Sequence, residues 1–239
     1  MYEFVDTCLT AKVDKCFLSE RKNWIKQLLR EKETFQVTDL GAGAKKLSKI
    51  RSVAQLIKNS SSKGLYGLIL WKIARHYKPS LILELGTSIG TGSIHLKNGY
   101  PESHLITVEG CDQTLRKAQE QFSKWNLSYI TTINSSFEDF LDIPSIGKYN
   151  LIFIDGNHQS KATLSYIDKL LPYTHSETII ILDDIRWNED MWAMWCNITH
   201  DNRFHLTIDL GRMGIIWRKE SQEKEHFIIR PWILKTKIF

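Results

Sequence analysis

The stretch Leu81-Ile-Leu-Glu-Leu-Gly-Thr-Ser-Ile-Gly-Thr-Gly-Ser93 leaves the chain few ways to fold. Its apolar start, 81–85, has the length and composition of a strand buried on both faces, the habit of parallel sheets. Three glycines follow, Gly86, Gly90 and Gly92, and a new apolar period begins near Ser93. Strand, glycine turn and helix in that order bring backbone N–H groups and a helix N-terminus up to a ligand. The spacing is E-x-G-x-x-x-G-x-G, not the dinucleotide fingerprint G-x-G-x-x-G, and it places an acidic residue, Glu84, inside the strand. A carboxylate there repels a pyrophosphate and tolerates a cationic ligand.

Beyond this stretch, strand and helix patterns alternate. Apolar runs at 104–109, 129–133, 149–155 and 178–183 are interleaved with helical periods at about 112–125, 161–171 and 188–197. Alternation of this kind predicts a parallel sheet with right-handed crossovers. The runs 204–210 and 214–217 are joined by Gly211-Arg-Met alone, too short for a crossover, so they are expected to pair as an antiparallel hairpin. Ahead of Leu81 the pattern predicts three helices, at 19–30 with Ser19 as N-cap, about 45–59, and about 65–77. Val37-Thr-Asp-Leu-Gly-Ala-Gly43 reads as a glycine-rich turn between the first two, not as a second ligand loop. The expected organisation is a helical N-terminal cap segment at 1–79 and a ligand-binding domain at 80–239. The apolar tail from Phe227 has no assigned place.

A chain of 239 residues suits one α/β domain. No apolar run approaches the roughly 20 residues of a membrane span. The N-terminus lacks the basic-then-apolar order of a leader. Cys8, Cys16, Cys111 and Cys196 are scattered, with no metal-ligand spacing, so reduced thiols and a cytoplasmic location are expected. The net charge of +5 is uneven: 16 Lys/Arg oppose 7 Asp/Glu in residues 1–79, and 16 oppose 20 beyond. A basic segment attracts anionic partners, although solvated helix faces are its ordinary explanation.

Glu109 closes the second apolar run, where an acidic side chain can accept hydrogen bonds from both hydroxyls of a ribose. Glu84, the three glycines and Glu109 together resemble the class I S-adenosylmethionine (SAM) methyltransferases. That resemblance implies a Rossmann-like, seven-stranded, mostly parallel sheet with helices on both faces and a C-terminal antiparallel hairpin. It implies a SAM site in which Glu84, Gly86, Ser88, Gly90 and Gly92 lie beside the methionine part. Glu109 would hold the ribose, and Ser136 and Phe137, after the third strand, would meet the adenine.

Asp155-Gly-Asn-His158 closes the run 149–155, and Asp183-Asp184 closes 178–183. Neighbouring parallel strands would bring these carboxylates to the edge that carries the glycine loop. Clustered carboxylates repel unless a cation or proton compensates, and oxygen ligands of this kind suit Mg²⁺ or a similar hard ion. The pattern resembles the metal-dependent O-methyltransferases of the catechol and caffeoyl-CoA type. Around D-G-x-H it resembles the macrolide-sugar O-methyltransferases more closely. This resemblance implies Asp155, Asp183 and Asp184 as metal ligands and His158, with Asp155, as catalytic. Imidazole is the side chain that exchanges protons near neutral pH. Adjacent strand residues point to opposite faces, so Asp183 and Asp184 act together only if the strand ends there. Trp187, Trp192 and Trp195 are candidates for an aromatic wall facing the acceptor.

The expected activity is methyl transfer from SAM to a hydroxyl of a small molecule. An NAD dehydrogenase is opposed by Glu84 and the spacing. An RNA methyltransferase is suggested by the basic first third and opposed by the acidic trio. A non-catalytic SAM- or nucleotide-binding protein is the remaining alternative. A small-molecule acceptor is the expected partner, with no membrane, and a homodimer is left open.

Overall fold

The computed structural model describes residues 3–38, 48–144, 147–219 and 221–230. Strands β1 (Thr34–Thr38) and β2 (Ser48–Ser52) pair antiparallel with each other. The central sheet is built from β3 (Leu81–Leu85), β4 (His104–Glu109), β5 (Ile130–Asn134), β6 (Leu151–Ile154), β7 (Ile179–Leu182), β8 (Leu206–Asp209), β9 (Gly214–Trp217) and β10 (Glu225–Ile228). The helices are α1 (Lys15–Leu28), α2 (Val53–Asn59), α3 (Leu65–Tyr77), α4 (Thr91–Gly99), α5 (Asp112–Lys124), α6 (Phe137–Leu141), α7 (Ser160–Leu170) and α8 (Glu189–His200).

The sheet runs in the order β10-β8-β9-β7-β6-β3-β4-β5, and β9 alone runs against the rest. The mixed α/β architecture is that of the Rossmann-like methyltransferase fold, with the expected hairpin in β8–β9. The sheet has eight strands where seven were expected. Part of the unplaced tail supplies β10, which pairs parallel to β8 from Glu225↔Leu206 to Ile228↔Asp209 and covers an edge otherwise left with unpaired backbone groups.

Alternation sorts the strands' side chains between two cores. Ile82, Leu151, Phe153, Ile179 and Ile181 face α3 and the N-terminal residues Phe4 and Leu9. Leu83, Ile152, Ile154, Ile180 and Leu182 face α7 and α8. All ten strand residues are buried, which is why the sequence reads there as unbroken apolar runs. Each such side chain contributes about 1.5–3 kcal/mol through burial. A smaller cluster joins α1 to the glycine-loop helix: Trp24 and Leu28 pack with Ile89, Ile94, Ala118 and Phe122.

The first 79 residues differ from the expected three-helix cap. The helix expected at 45–59 is β2 followed by the short α2. Ser52 Oγ accepts from Gln55 N and Gln55 Oε1 accepts from Ser52 N, a capping box that starts the helix only at Val53. Residues up to Ser52 pair with β1 instead. The 39–43 part of the expected turn lies outside the described residues, as does the tail from 231. Helix α1 starts earlier than expected, because Asp14 rather than Ser19 caps it, accepting from Phe17 N at 2.8 Å. Helix α3 is part of the layer covering the sheet. No helix among the described residues is long and apolar enough to cross a membrane.

Candidate functional site

Strand β3 lies between β6 and β4, so the order of winding reverses at β3 and a crevice opens outside the carboxyl ends of these strands. The predicted site residues stand on strand ends, on loops or in the first turn of a helix at this edge, with Glu84 directly behind it.

Gly86 joins two of these loops. Its φ is +106°, and a Cβ there would stand 2.0 Å from the Asp155 carbonyl oxygen, so only glycine lets the loops after β3 and β6 touch. Gly86 N and Thr87 N both donate to Val108 O, which ties the loop to the end of β4. Glu109 completes the tie: Oε2 accepts from Ser88 N at 2.9 Å and Oε1 from Cys111 N at 3.0 Å. The half-buried Glu109 ends β4 beside the glycine loop, a place where a carboxylate suits the hydroxyls of a ribose.

Glu84 is fully buried behind the loop. Its Oε2 accepts from Ser93 Oγ and from Thr107 Oγ1, joining α4 to β4. Its Oε1 has no hydrogen-bond partner among the described residues, and a Cβ on Gly92 would meet it at 2.4 Å. Burial pushes the Glu84 carboxyl up to about 7, against the two hydroxyl donors. The folded state thus holds a proton that the unfolded chain gives up near pH 4.5. Stability is lost as pH rises through the interval from about 4.5 to 7, and the loss saturates above it. Glu84→Gln removes this dependence. Thermal unfolding of the ligand-free protein is expected to show the variant gaining on the wild type by about 3 kcal/mol between pH 4.5 and 8. A constant difference across that range would contradict the buried-carboxyl account.

Ser136 and Phe137 begin α6. Ser136 Oγ accepts from Asp139 N at 3.0 Å as the helix cap, and the Phe137 ring stands edge-on to Tyr166 with centroids 5.7 Å apart. The same ring lies so close to Gly156 that a Cβ there would meet it at 2.7 Å. Asn134 Nδ2 donates to Glu109 O, which fixes the loop after β5 beside Glu109.

The acidic residues converge at the ends of β6 and β7. One ligand atom each from Asp155, His158 and Asp184 lie within 4.8 Å of one another. His158 Nε2 stands 3.6 Å from Asp184 Oδ2, and its ring centroid is 5.2 Å from that of Trp187. Asp183 does not join this trio. Its side chain is fully buried and turned toward Arg212, whose Nε is 3.2 Å from Asp183 Oδ1 and whose Nη2 donates to Asp184 Oδ2 at 2.8 Å. The neighbours reach one guanidinium because β7 ends at Leu182 and Asp184 adopts φ +55°. Among the described residues, Ser88, Asn157, His158 and Asp184 are four of the eight non-glycine residues with positive φ, so half of this unusual backbone lies on the loops of one crevice.

Burial, then the charges of Asp183 and Asp184, hold the Asp155 carboxyl well above the ordinary carboxylate range. Burial and Asp183 also push Asp184 up, against the pull of Arg212. Three carboxylates, Asp155, Asp183 and Asp184, gather about the Arg212 guanidinium, an excess of acidic groups over this one cation. A divalent hard cation fits that excess and this oxygen-rich donor set. Two participants escaped the sequence reading. Arg212 sits in the turn between β8 and β9. Tyr66 of α3 holds that turn, donating to Leu210 O and accepting from Arg212 N. A charged residue inside the tight turn of a buried hairpin was the available signal.

The aromatic candidates separate. Trp195 is fully buried in the core, whereas Trp187 is 62% exposed beside His158. Trp192 lies under Arg186, whose guanidinium carbon is 3.6 Å from the ring centroid.

A reversed-order parallel sheet with one antiparallel strand, a glycine loop after β3 and an acidic residue ending β4 define the class I SAM-dependent methyltransferase fold. Residues 83–185, which span the glycine loop and the acidic edge, match the family described as a methyltransferase domain. No curated protein matches the chain. Among solved structures, the SAH-bound Podospora anserina methyltransferase PaMTH1 is similar over 90% of this chain and 94% of its own, at 16% identity and TM-score 0.61. An O-methyltransferase from Bacillus cereus in complex with SAH aligns over the same shares at 17% identity and TM-score 0.59. A methyltransferase from Geobacter sulfurreducens aligns over 64% of this chain and 78% of its own, at 12% identity and TM-score 0.55. At these identities the likeness is one of fold.

Proposed function

We propose that this protein transfers the methyl group of SAM to a hydroxyl oxygen of a small molecule. The observation that carries the reading is the meeting of Asp155, His158 and Asp184 at the sheet edge that also bears the glycine loop and Glu109. The Bacillus cereus structure, similar over 90% of this chain, is of an O-methyltransferase in complex with SAH.

In this reading Glu109 accepts the ribose hydroxyls. The loop at Gly86, Ser88, Gly90 and Gly92 lies along the methionine part, and Ser136 and Phe137 flank the adenine. Glu84 positions the loop from behind through Ser93 and Thr107. Bound SAM would supply a methyl group on a positively charged sulfur, poised for in-line displacement. The chain's own work is to hold the acceptor hydroxyl in line with that methyl and to take its proton at His158 Nε2. Asp184 orients the imidazole and stabilises it once protonated. Asp155 and Asp184 would hold a divalent cation, which would lower the pKa of the acceptor hydroxyl. Asp183 and Arg212 brace this pair rather than complete it. The same acidic floor opposes the phosphate backbone of an RNA.

Calorimetric titration of SAM tests the reading. Two charge-assisted hydrogen bonds are lost in Glu109→Ala, so its affinity is expected to fall by roughly 30-fold or more, with Glu109→Gln in between. Equal affinity in wild type and Glu109→Ala, or no binding to the wild type, would reject it. The cation has its own test in titration with Mn²⁺. Asp155 must give up a proton to ligate, so binding is expected to tighten as pH rises and to weaken at least about tenfold in Asp184→Ala. Binding independent of pH and of Asp184 would place the ion elsewhere.

A further inference from the structure

Arg21, on α1, is a half-buried cation that meets no acidic side chain among the described residues, and burial lowers its guanidinium to about 10. Its partners are neutral acceptors. Nε donates to His95 Nε2 at 2.6 Å, and Nη2 donates to the carbonyl oxygens of Lys63 at 2.5 Å and Gly64 at 2.9 Å. One planar group thus joins α1 to α4 and to the residues that precede α3. Burying a charge without an opposite one is costly, and an apolar contact would hold α1 to α4 at lower cost. What a guanidinium adds is the fork that reaches an imidazole and two carbonyls at once.

His95 carries the link onward. Its ring is fully buried, with Nδ1 2.6 Å from Thr91 O in the first turn of α4. A carbonyl only accepts and a guanidinium only donates, so these partners assign the proton to Nδ1 and the lone pair to Nε2. Burial, then the charge of Arg21, pushes the imidazole down to about 3, so the ring stays neutral and keeps this double role. Phe17 stands edge-on to the ring at 5.8 Å, and Gly67 of α3 closes over it so tightly that a Cβ there would stand 2.7 Å from Nε2.

The segment that Arg21 grips connects the two sides of the site. At its start, Ser60 Oγ lies 2.8 Å from Oγ1 of Thr91, the residue that opens α4 after the glycine loop. At its end, Tyr66 holds the turn that carries Arg212. Residues 60–66 therefore pass from the glycine loop to the acidic edge, and Arg21 holds the middle of the span. Resting on the methyltransferase reading above, we infer that Arg21 is a positioning residue for the cofactor: acting through His95 and the carbonyls of Lys63 and Gly64, it fixes residues 60–66 as the wall against which the methionine part of SAM is held. The adenosine part, at Glu109, Ser136 and Phe137, lies toward β4 and β5 and does not depend on this wall. Without the clamp, the segment must be ordered when the ligand binds, and affinity falls by the fraction of molecules in which it is already in place.

The test compares SAH with methylthioadenosine, which keeps the adenine, ribose and sulfur of SAH and lacks its amino acid part. Affinities for the full-length wild type and for Arg21→Met are measured by competition with tritiated SAH, and amide hydrogen exchange is followed by mass spectrometry. Arg21→Met is expected to bind SAH roughly tenfold more weakly and methylthioadenosine within about twofold of wild type. In the ligand-free variant, exchange at 60–66 is expected to speed up about tenfold, with β3 and β6 unchanged. Arg21→Lys keeps the charge without the fork, so it should fall between the two proteins, and it supplies the reading should Arg21→Met fold poorly. Should methylthioadenosine compete too weakly to measure, the contrast is read from exchange: SAH protection lost at 60–66 and kept at 136–138 supports the clamp, and loss at both overturns it. Equal loss of the two ligands, faster exchange in the strands as well, or SAH affinity unchanged in both variants also overturns it. SAH binding that is weakened by Glu109→Ala and indifferent to Arg21 would reject the clamp and leave the methyltransferase reading intact. Failure of SAH to bind the wild type would reject that reading itself.

Discussion

His158→Ala is expected to lower kcat by about 10²- to 10⁴-fold, the usual contribution of a positioned general base. His158 stands 3.6 Å from Asp184 at the acidic end of the crevice, whereas Glu109 is engaged with Ser88 and Cys111 at the other. SAM affinity should therefore change by less than about twofold. His158 also offers one of the three ligand atoms that lie within 4.8 Å of one another, so Mn²⁺ affinity is the second quantity to follow. A base predicts a large loss of kcat with cation affinity preserved. A ligand predicts both lost together. A fall in kcat of less than tenfold would remove His158 from the reaction.

The second large effect is expected from the smallest change, Gly86→Ala. The added methyl carbon would stand 2.0 Å from the Asp155 carbonyl oxygen, on a backbone at φ +106° that side chains rarely adopt. Left-handed strain and overpacking each cost about 1–3 kcal/mol. Together they imply a fall in Tm of roughly 10 °C for a chain of this size. The chain can relieve the clash only by parting the loops after β3 and β6, so SAM binding and the Asp155 cluster should fail together. Differential scanning calorimetry alongside SAM titration checks both. A Tm within 2 °C of wild type with SAM binding retained would mean that the contact between these loops is dispensable.

The two effects bear on different levels of organisation. Gly86 was visible in the sequence because a buried strand followed by a glycine has few structural meanings. The same reasoning reached Glu109, Asp155 and Asp184, each at the end of an apolar run whose burial on both faces forces it into the middle of a parallel sheet. The β8–β9 hairpin was legible from a linker too short to cross over. Local chemistry was readable and partly missed at Ser52–Gln55, where the capping-box spacing marks the true start of α2.

Burial of apolar runs and the length of their connections thus decided the sheet, its hairpin and the edge on which ligands meet, because these are properties of one segment or of two adjacent ones. Pairings between distant segments were settled only in three dimensions. That β10 adds an eighth strand beside β8 depends on which edge remained open. That Arg212 takes up Asp183 and Asp184, and that Arg186 and Arg230 gather on Asp209, depends on a turn of β8–β9 being delivered to the end of β7. The positive φ of Asp184, which turns two neighbouring carboxylates toward one guanidinium, has no mark in the residue itself. A charge is neutralised by whatever the fold brings within a few ångströms of it, and sequence spacing does not encode that distance.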